Sequence, residues 1–363
     1  MKNIQVAVVG AGPAGLAAAI EAAAAGARVT VFDENGLPGG QLFKQIHKFF
    51  GSREHQAGTR GFKIGEDLLA ETRRLGVDVH LNATVYGLYQ HRQLAVMENM
   101  ASSLYQAGAL ILATGASENA LSFPGSTLPG VMTAGAAQTL INLHRVLPGR
   151  RVLMVGSGNV GLIVSYQLMQ AGADVVALVE AAPHISGYGV HAAKVRRAGV
   201  PILTSHTVRE VSGSQEVESA TIVELDEGCR PVPGTEKTLE VDTVCLAVGL
   251  TPLAEMAWMA GCRFAYIPKL GGHVPLHDGN METTVKGIYV AGDITGVEEA
   301  SSAMEEGRLA GVAAAEALGC CPPERAAEKK TAVLERLAAL RTGPFGQHRQ
   351  DAKQELIKAR CQA

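Results

Sequence analysis

This sequence has no pair of cysteines spaced C-x-x-C. Its six cysteines are Cys229, Cys245, Cys262, Cys320, Cys321 and Cys361, and they write no zinc ribbon, iron–sulfur cluster or redox dithiol. Adjacent Cys320 and Cys321 are poorly spaced for an unstrained disulfide, so small reduced hydrophobes is the plain reading and no metal site is expected. No apolar run reaches the ~18 residues of a membrane helix. The N-terminus enters a strand almost at once, with no basic-then-apolar leader, which reads as cytoplasmic. Charged residues are 18% of the chain and scattered, with a net charge of −3, so the basic footprint of a nucleic-acid binder is missing. A Ser-His-Asp or paired-carboxylate hydrolytic arrangement is missing too.

What is abundant is glycine, at 42 copies, in a chain of 363 residues that is 47% hydrophobic. That length suits two domains, and the glycines suit strand–turn–helix junctions. The opening stretch, Ile4 to Val9 and then Gly10-Ala11-Gly12-Pro13-Ala14-Gly15, reads as strand, tight turn and helix, with a second strand ending at Asp33. Gly10 permits the turn, Gly12 lets a pyrophosphate approach the backbone, and Gly15 lets the helix lie close on the sheet. Pro13 suits a first helical turn. The helix start would offer N–H groups and a positive dipole end to phosphate. Asp33, followed by Glu34, lies where an acid grips an adenosine ribose.

The same unit then recurs. Arg151 to Val155, Gly156-Ser157-Gly158-Asn159-Val160-Gly161 and a strand ending at Glu180 repeat the pattern. Glu180 favours NAD over NADP, because a carboxylate repels a 2′-phosphate, although a solvated strand end would look alike. Arg196 and Arg197 lie farther on and read as surface charge. Further strands are expected near 200–204, 217–225 and 241–248, the last leading to Gly249. Tyr188 and His191 either line this second pocket or belong to a plain loop.

Between and beyond the repeats, the segment from Phe43 to His55 is basic, aromatic and poorly periodic. His47 and Lys48 are catalytic candidates there, and with His55 and Arg60 a basic solvated loop or subunit contact is the plainer reading. Residues 62–75 have helical spacing, residues 77–85 alternate like a strand, and 86–106 suggest a small antiparallel ribbon. A separate buried strand is expected at 109–115, ending in Ala113-Thr114-Gly115. Trp258 and Phe264 are expected in a core or an interface. After Gly287, a buried strand ends in Ala291-Gly292-Asp293, and an Ala-rich helix follows. The compact region is expected to end at Pro322, leaving 321–363 as a charged helix and polar tail, either solvated or in contact with a partner chain.

Taken in order, Gly10-x-Gly12-x-x-Gly15, Ala113-Thr114-Gly115, Gly156-x-Gly158-x-x-Gly161 and Ala291-Gly292-Asp293 resemble the two-dinucleotide-binding-domain flavoproteins that include thioredoxin reductase. The resemblance implies an α/β fold of two Rossmann-type, three-layer ββα domains, with the NAD(P) domain inserted in the FAD domain. The FAD domain would comprise 1–117 and 249–320, and the insert 118–248. It implies further FAD contacts at Gly40 and Gln41, in the Gly-Gly-Gln turn, and at the backbone of Val85. Asp293 would hold the ribityl chain, and Ala300 and Ser301 would open the helix aimed at the flavin. The second site would hold NAD(H), or else ATP or another adenine nucleotide.

Thioredoxin reductases carry a C-x-x-C about twenty residues before the second glycine motif. Here that region reads Val131-Met132-Thr133-Ala134-Gly135-Ala136-Ala137-Gln138-Thr139, which excludes the usual dithiol relay. The string from Leu128 to Gln138 is instead similar to FAD subunits of heteromeric amine and amino-acid dehydrogenases: the alpha subunits of sarcosine oxidase, opine oxidases and archaeal proline dehydrogenase, and the B subunit of hydrogen cyanide synthase. This likeness implies that the partner is a second FAD-containing, amine-oxidising subunit, beside a small [2Fe-2S] protein. The four-cysteine domain found in such assemblies is missing from this sequence, which would put any cluster on another polypeptide. The implied activity is electron transfer between flavin and NAD(H). A self-sufficient NADH:acceptor reductase and a nucleotide-holding structural subunit with a non-cycling FAD are the alternatives.

Overall fold

In the computed structural model, which describes residues 1–49 and 52–362, the chain forms two compact units. One comprises Met1–Ser117 with Thr251–Ala363, and the other Glu118–Leu250.

The first unit grows from the strand Lys2–Val9. Its side chains alternate, so that Val6 and Val8 enter one core while Ala7 and Val9 enter another. Both faces are thus apolar, as expected for a parallel strand covered on two sides. The sheet runs Asp78–Leu81, Val29–Asp33, Lys2–Val9, Ala101–Leu112, Gln93–Glu98, Ala83–Tyr89. The first four strands are parallel and the last two antiparallel.

Two expectations change here. The strand expected at 109–115 is the second half of a single twelve-residue strand, Ala101–Leu112. Its first half pairs with Gln93–Glu98, and its last three residues pair with Ile288–Val290. Continuous alternation carried the strand through the boundary that the ribbon pattern suggested. The strand expected over 77–85 breaks at Asn82, whose φ of +57° lies in the left-handed region that asparagine tolerates.

One face of this sheet carries the helices Pro13–Ala24 and Ala300–Ala317. They cross with almost no side chain between them. A Cβ on Gly307 would lie 2.0 Å from the Ala14 carbonyl oxygen, and one on Gly311 would lie 2.2 Å from that of Ala18. On the other face, Leu88, Leu94 and Tyr105 pack with Met256 and Ala257. Trp258 sits at the margin of this core, 49% exposed and 4.7 Å from the Phe264 ring.

The segment expected to be a solvated or subunit-contacting tail packs on this unit. The helix Pro323–Leu340 buries Ala326, Val333 and Leu337, the last two against the core of the Ala300–Ala317 helix. The helix Gly343–Gln362, read from sequence as a polar tail, lays Ala352 and Leu356 over Ile267, Leu270 and Val274. Two apolar residues four apart on a polar helix are a faint stripe, which is why the sequence pattern passed over it.

The second unit repeats the plan on a smaller scale. Its five parallel strands run Ile202–Thr204, Asp174–Glu180, Arg151–Val155, Thr243–Leu246, Val131–Thr133. The helices Asn159–Gln170 and Gly189–Arg197 lie on one core. A three-stranded antiparallel sheet, His206–Ser212, Ser219–Glu224 and Lys237–Glu240, lies on the other. Strands 206–212 and 237–240 were not anticipated from sequence. They alternate with half-exposed polar residues and are marked only by their pairing with 219–224.

Candidate functional site

The two glycine turns are the same object built twice. In the first, Gly10 N–H donates to the Phe32 carbonyl at 2.8 Å; in the second, Gly156 N–H donates to Val179 at 2.8 Å. Both glycines are left-handed, at φ +105° and +107°. A Cβ on either would lie 2.3 Å from a carbonyl oxygen, of Ala113 and of Ala247 respectively. The third glycine of each motif sits under the first. A Cβ on Gly15 would be 1.8 Å from the Gly10 oxygen, and one on Gly161 2.0 Å from that of Gly156. These are the tight turn and close helix approach that the spacing predicts.

The middle glycines differ in kind, because space lies beside them. A Cβ on Gly12 meets only Gly40 Cα at 3.9 Å, and one on Gly158 only Ser186 Oγ at 3.9 Å. Both residues cap their helices in extended conformation without a side-chain hydrogen bond. No side chain caps either helix start, the kind of place in a fold where phosphate is commonly bound. Pro13 opens the first helix, while Asn159, Val160 and Gly161 open the second. The Asn159 side chain turns back to accept the Tyr188 N–H at 2.8 Å.

The strand-end acids also match atom for atom. Asp33 Oδ2 accepts the Ala11 N–H at 2.5 Å, and Glu180 Oε2 accepts the Ser157 N–H at 2.9 Å. The other oxygen of each accepts the N–H two residues on, Asn35 at 2.7 Å and Ala182 at 2.9 Å. Each carboxylate fastens its own turn. Ser157 Oγ adds a bond to Glu180 at 2.5 Å. Glu34, next to Asp33, is exposed.

Around the first corner, Gly39 N–H donates to the Ala11 carbonyl at 2.8 Å, and Gly40 lies so close to Gly12 that a Cβ would stand 2.9 Å from its Cα. Gln41 is exposed. Ala113 N–H donates to Val9 at 2.8 Å, and Thr114 Oγ1 donates to Leu253 at 2.5 Å, fixing the Ala113-Thr114-Gly115 turn. Gly292 also reaches this corner, since a Cβ on it would stand 2.8 Å from that of Ala14. Burial pushes the Asp293 carboxyl up to about 7; nearby Glu306 and Glu298 add to this against the Glu298 N–H and Lys353. Ala300 begins the Ala300–Ala317 helix, with Ser301 buried beside it. Val85 lies at a register shift in the strand Ala83–Tyr89. In the second unit, Gly249 accepts the Asn119 N–H at 3.0 Å.

The irregular segment divides. His47 is half-buried and stacks on Phe49 at 5.9 Å, whereas Lys48 is exposed. Phe50 and Gly51 lie outside the described residues. His55 is the residue the fold buries. Its Nε2 meets Glu305 at 3.0 Å and its Nδ1 meets Ser52 Oγ at 2.9 Å. Tyr188 caps the Gly189–Arg197 helix, and its ring is 6.3 Å from that of buried His191, whose pKa burial and Lys194 lower. Arg196 and Arg197 are exposed in the last turn of that helix.

Residues that sequence reasoning missed include Glu118, Glu305, Glu306, Arg341 and Lys353. Glu118 stands where the sequence has no dithiol. Its oxygens take Gly135 N–H and Thr133 Oγ1, both at 2.7 Å, and a Cβ on Gly135 would strike it at 2.4 Å. Burial, then Glu118, pushes the neighbouring Cys245 thiol up to about 12, so it stays protonated. Two acids together in the otherwise small and apolar helix around Glu305 and Glu306 were the readable signal for the rest. Among the described residues, no group of three or more His, Cys, Asp or Glu is placed to hold a metal ion, and no helix is long and apolar enough to cross a membrane.

This geometry has known counterparts. The chain is 34% identical over 334 residues to the A subunit of opine oxidase from Agrobacterium tumefaciens (strain Ach5), covering 85% of this chain and 64% of that protein. It is 30% identical over 332 residues to the alpha subunit of sarcosine oxidase from Rhizobium meliloti (strain 1021), covering 87% and 31%. The chain thus spans under two thirds of the length of these relatives. Among solved structures, it superposes on thioredoxin reductase of T. acidophilum with a TM-score of 0.72 at 21% identity, over 87% of this chain and 99% of that one. That likeness shows the fold: two dinucleotide-binding domains of Rossmann type. The model of one family, pyridine nucleotide-disulphide oxidoreductase, matches residues 4–307, and the chain belongs to that family.

Proposed function

We propose that this protein is an FAD-dependent oxidoreductase that passes hydride between NAD(H) and flavin, as the FAD/NAD subunit of a heteromeric amino-acid or amine dehydrogenase. The observation that carries the proposal is the duplicated corner, with its two open helix starts at Gly12 and Gly158. Two such corners in one chain suit two dinucleotides.

In the first unit, the N–H groups of Gly12, Ala14 and Gly15 would receive the FAD pyrophosphate, with Pro13 opening the helix and Gly40 and Gly292 flanking it. Asp33 and Glu34 would serve the ribose, Val85 the adenine, Asp293 the ribityl chain, and the helix start at Ala300 and Ser301 the electron-rich ring edge. In the second unit, Gly156 to Gly161, Glu180 and Gly249 would hold NAD. FAD, when bound, supplies the reversible two-electron carrier, so the protein contributes binding, orientation and field rather than an acid–base pair. The missing C-x-x-C argues against disulfide reduction despite the family name. The names of the relatives are names of subunits, which supports a partner chain; on the likeness of the Leu128–Gln138 string, that partner would be a second FAD-containing, amine-oxidising subunit, beside a small [2Fe-2S] protein.

Gently purified protein is expected to be yellow, to bleach on mixing with NADH in stopped flow, and to oxidise NADH with an artificial acceptor. A colourless protein, or flavin that neither NADH nor the amine substrate of a reconstituted complex reduces, would sink the proposal. Co-purification of a second flavoprotein supports the heteromeric role. Full turnover without any partner would instead mark a self-sufficient reductase.

A further inference from the structure

Glu305 and Glu306 follow one another in the Ala300–Ala317 helix and are 0% and 2% exposed. Burying two carboxylates demands compensation by cations and hydrogen bonds. Glu306 Oε2 accepts the Gly292 N–H at 2.9 Å and Thr295 Oγ1 at 2.8 Å. Its Oε1 accepts Lys353 Nζ at 2.7 Å and Arg341 Nη2 at 2.5 Å. Lys353, itself 2% exposed, also bonds Thr295, and Arg341 forks onto Glu298 at 3.0 and 2.8 Å. Glu305 is met by His55, Arg308 and Arg336. Arg336, Arg341 and Lys353 come from the two C-terminal helices and their junction, beyond residue 307 where the family match stops.

Glu306 is the joint between these cations and the first corner. It alone among these acids bonds the backbone of the Gly292 turn, and that turn touches Ala14 at the helix start. We propose that Lys353 and Arg341 are positioning residues of the first nucleotide site: by neutralising Glu306 they keep it ionised and in place as acceptor for the Gly292 N–H, and so hold the Gly292–Asp293 turn against the glycine corner. With Lys353 gone, Glu306 would keep a buried charge half-compensated, and its escape toward water would release Gly292. A shift of about 1 Å in a supporting shell is enough to spoil a binding geometry. The effect on cofactor rests on the reading that FAD occupies this corner; the hold on the turn does not.

The test uses the full chain in three forms: wild type, Lys353→Met, and Glu306→Gln with Lys353→Met. FAD affinity is measured by flavin fluorescence, and backbone exchange of the 288–297 peptide is measured without cofactor. Lys353→Met should weaken FAD about tenfold or more and speed exchange of the Gly292 amide. The double variant removes the stranded charge yet keeps an amide oxygen for Gly292, so both readouts should return to within about threefold of wild type. This rescue also decides the matter if the single variant fails to fold. Wild-type behaviour of Lys353→Met, or no recovery in the double variant, would overturn the proposal. Should wild type take up no FAD, the cofactor reading fails, and exchange at Gly292 still decides whether Lys353 holds the turn.

Discussion

A carboxylate next to a backbone turn can fasten that turn, and Asp33 and Glu180 both do so. Each spends lone pairs on two N–H groups of its own corner. Asp293 is different: burial raises its pKa to about 7 from an ordinary 3.8, outweighing the Glu298 N–H and the attraction of Lys353. The sign of its effect on stability follows. Between those values the native state holds a proton that the unfolded chain has lost, so stability falls as pH rises and the favourable contribution is gone above about 7. In cofactor-free protein, Asp293→Asn should therefore raise the melting temperature relative to wild type more at pH 8 than at pH 5. A difference that stays constant across that range in calorimetry would refute the assignment.

At the scale of elements, the crossing of Pro13–Ala24 with Ala300–Ala317 sets what backs the first glycine corner. The glycines at 307 and 311 let one helix rest on the carbonyls of the other, which brings Glu306 to the Gly292 turn. Gly307→Ala would force a Cβ into the Ala14 carbonyl, and the overpacking should cost roughly 1–3 kcal/mol. A lower urea midpoint at unchanged slope is the expected signature. The sequence displayed this helix plainly, through its Ala-rich run, but not its contact surface. Which glycines meet which carbonyls depends on the crossing, and no periodicity encodes that. The helix Gly343–Gln362 is the opposite case, with a faint apolar stripe and a consequential residue, Lys353, that reads in sequence as one more surface lysine.

For the whole molecule, the duplication predicts that its two halves can be switched off separately. Gly12 and Gly158 have φ of −74° and −63°, which alanine adopts freely, and a Cβ at either makes only an ordinary contact at 3.9 Å. Gly12→Ala should fold normally and weaken FAD binding about tenfold or more, while Gly158→Ala should do the same for NADH and leave flavin content intact. Titration of each variant with both nucleotides checks this, and loss of both ligands from either variant would contradict it. The sequence by itself determined the two corners, their order and the missing dithiol, because a glycine turn is local chemistry written in consecutive residues. Only the tertiary structure decided what stands behind the first corner. A buried ion network joins residues as far apart as Gly292 and Lys353, and its energy depends on burial and distance that no single stretch of chain contains.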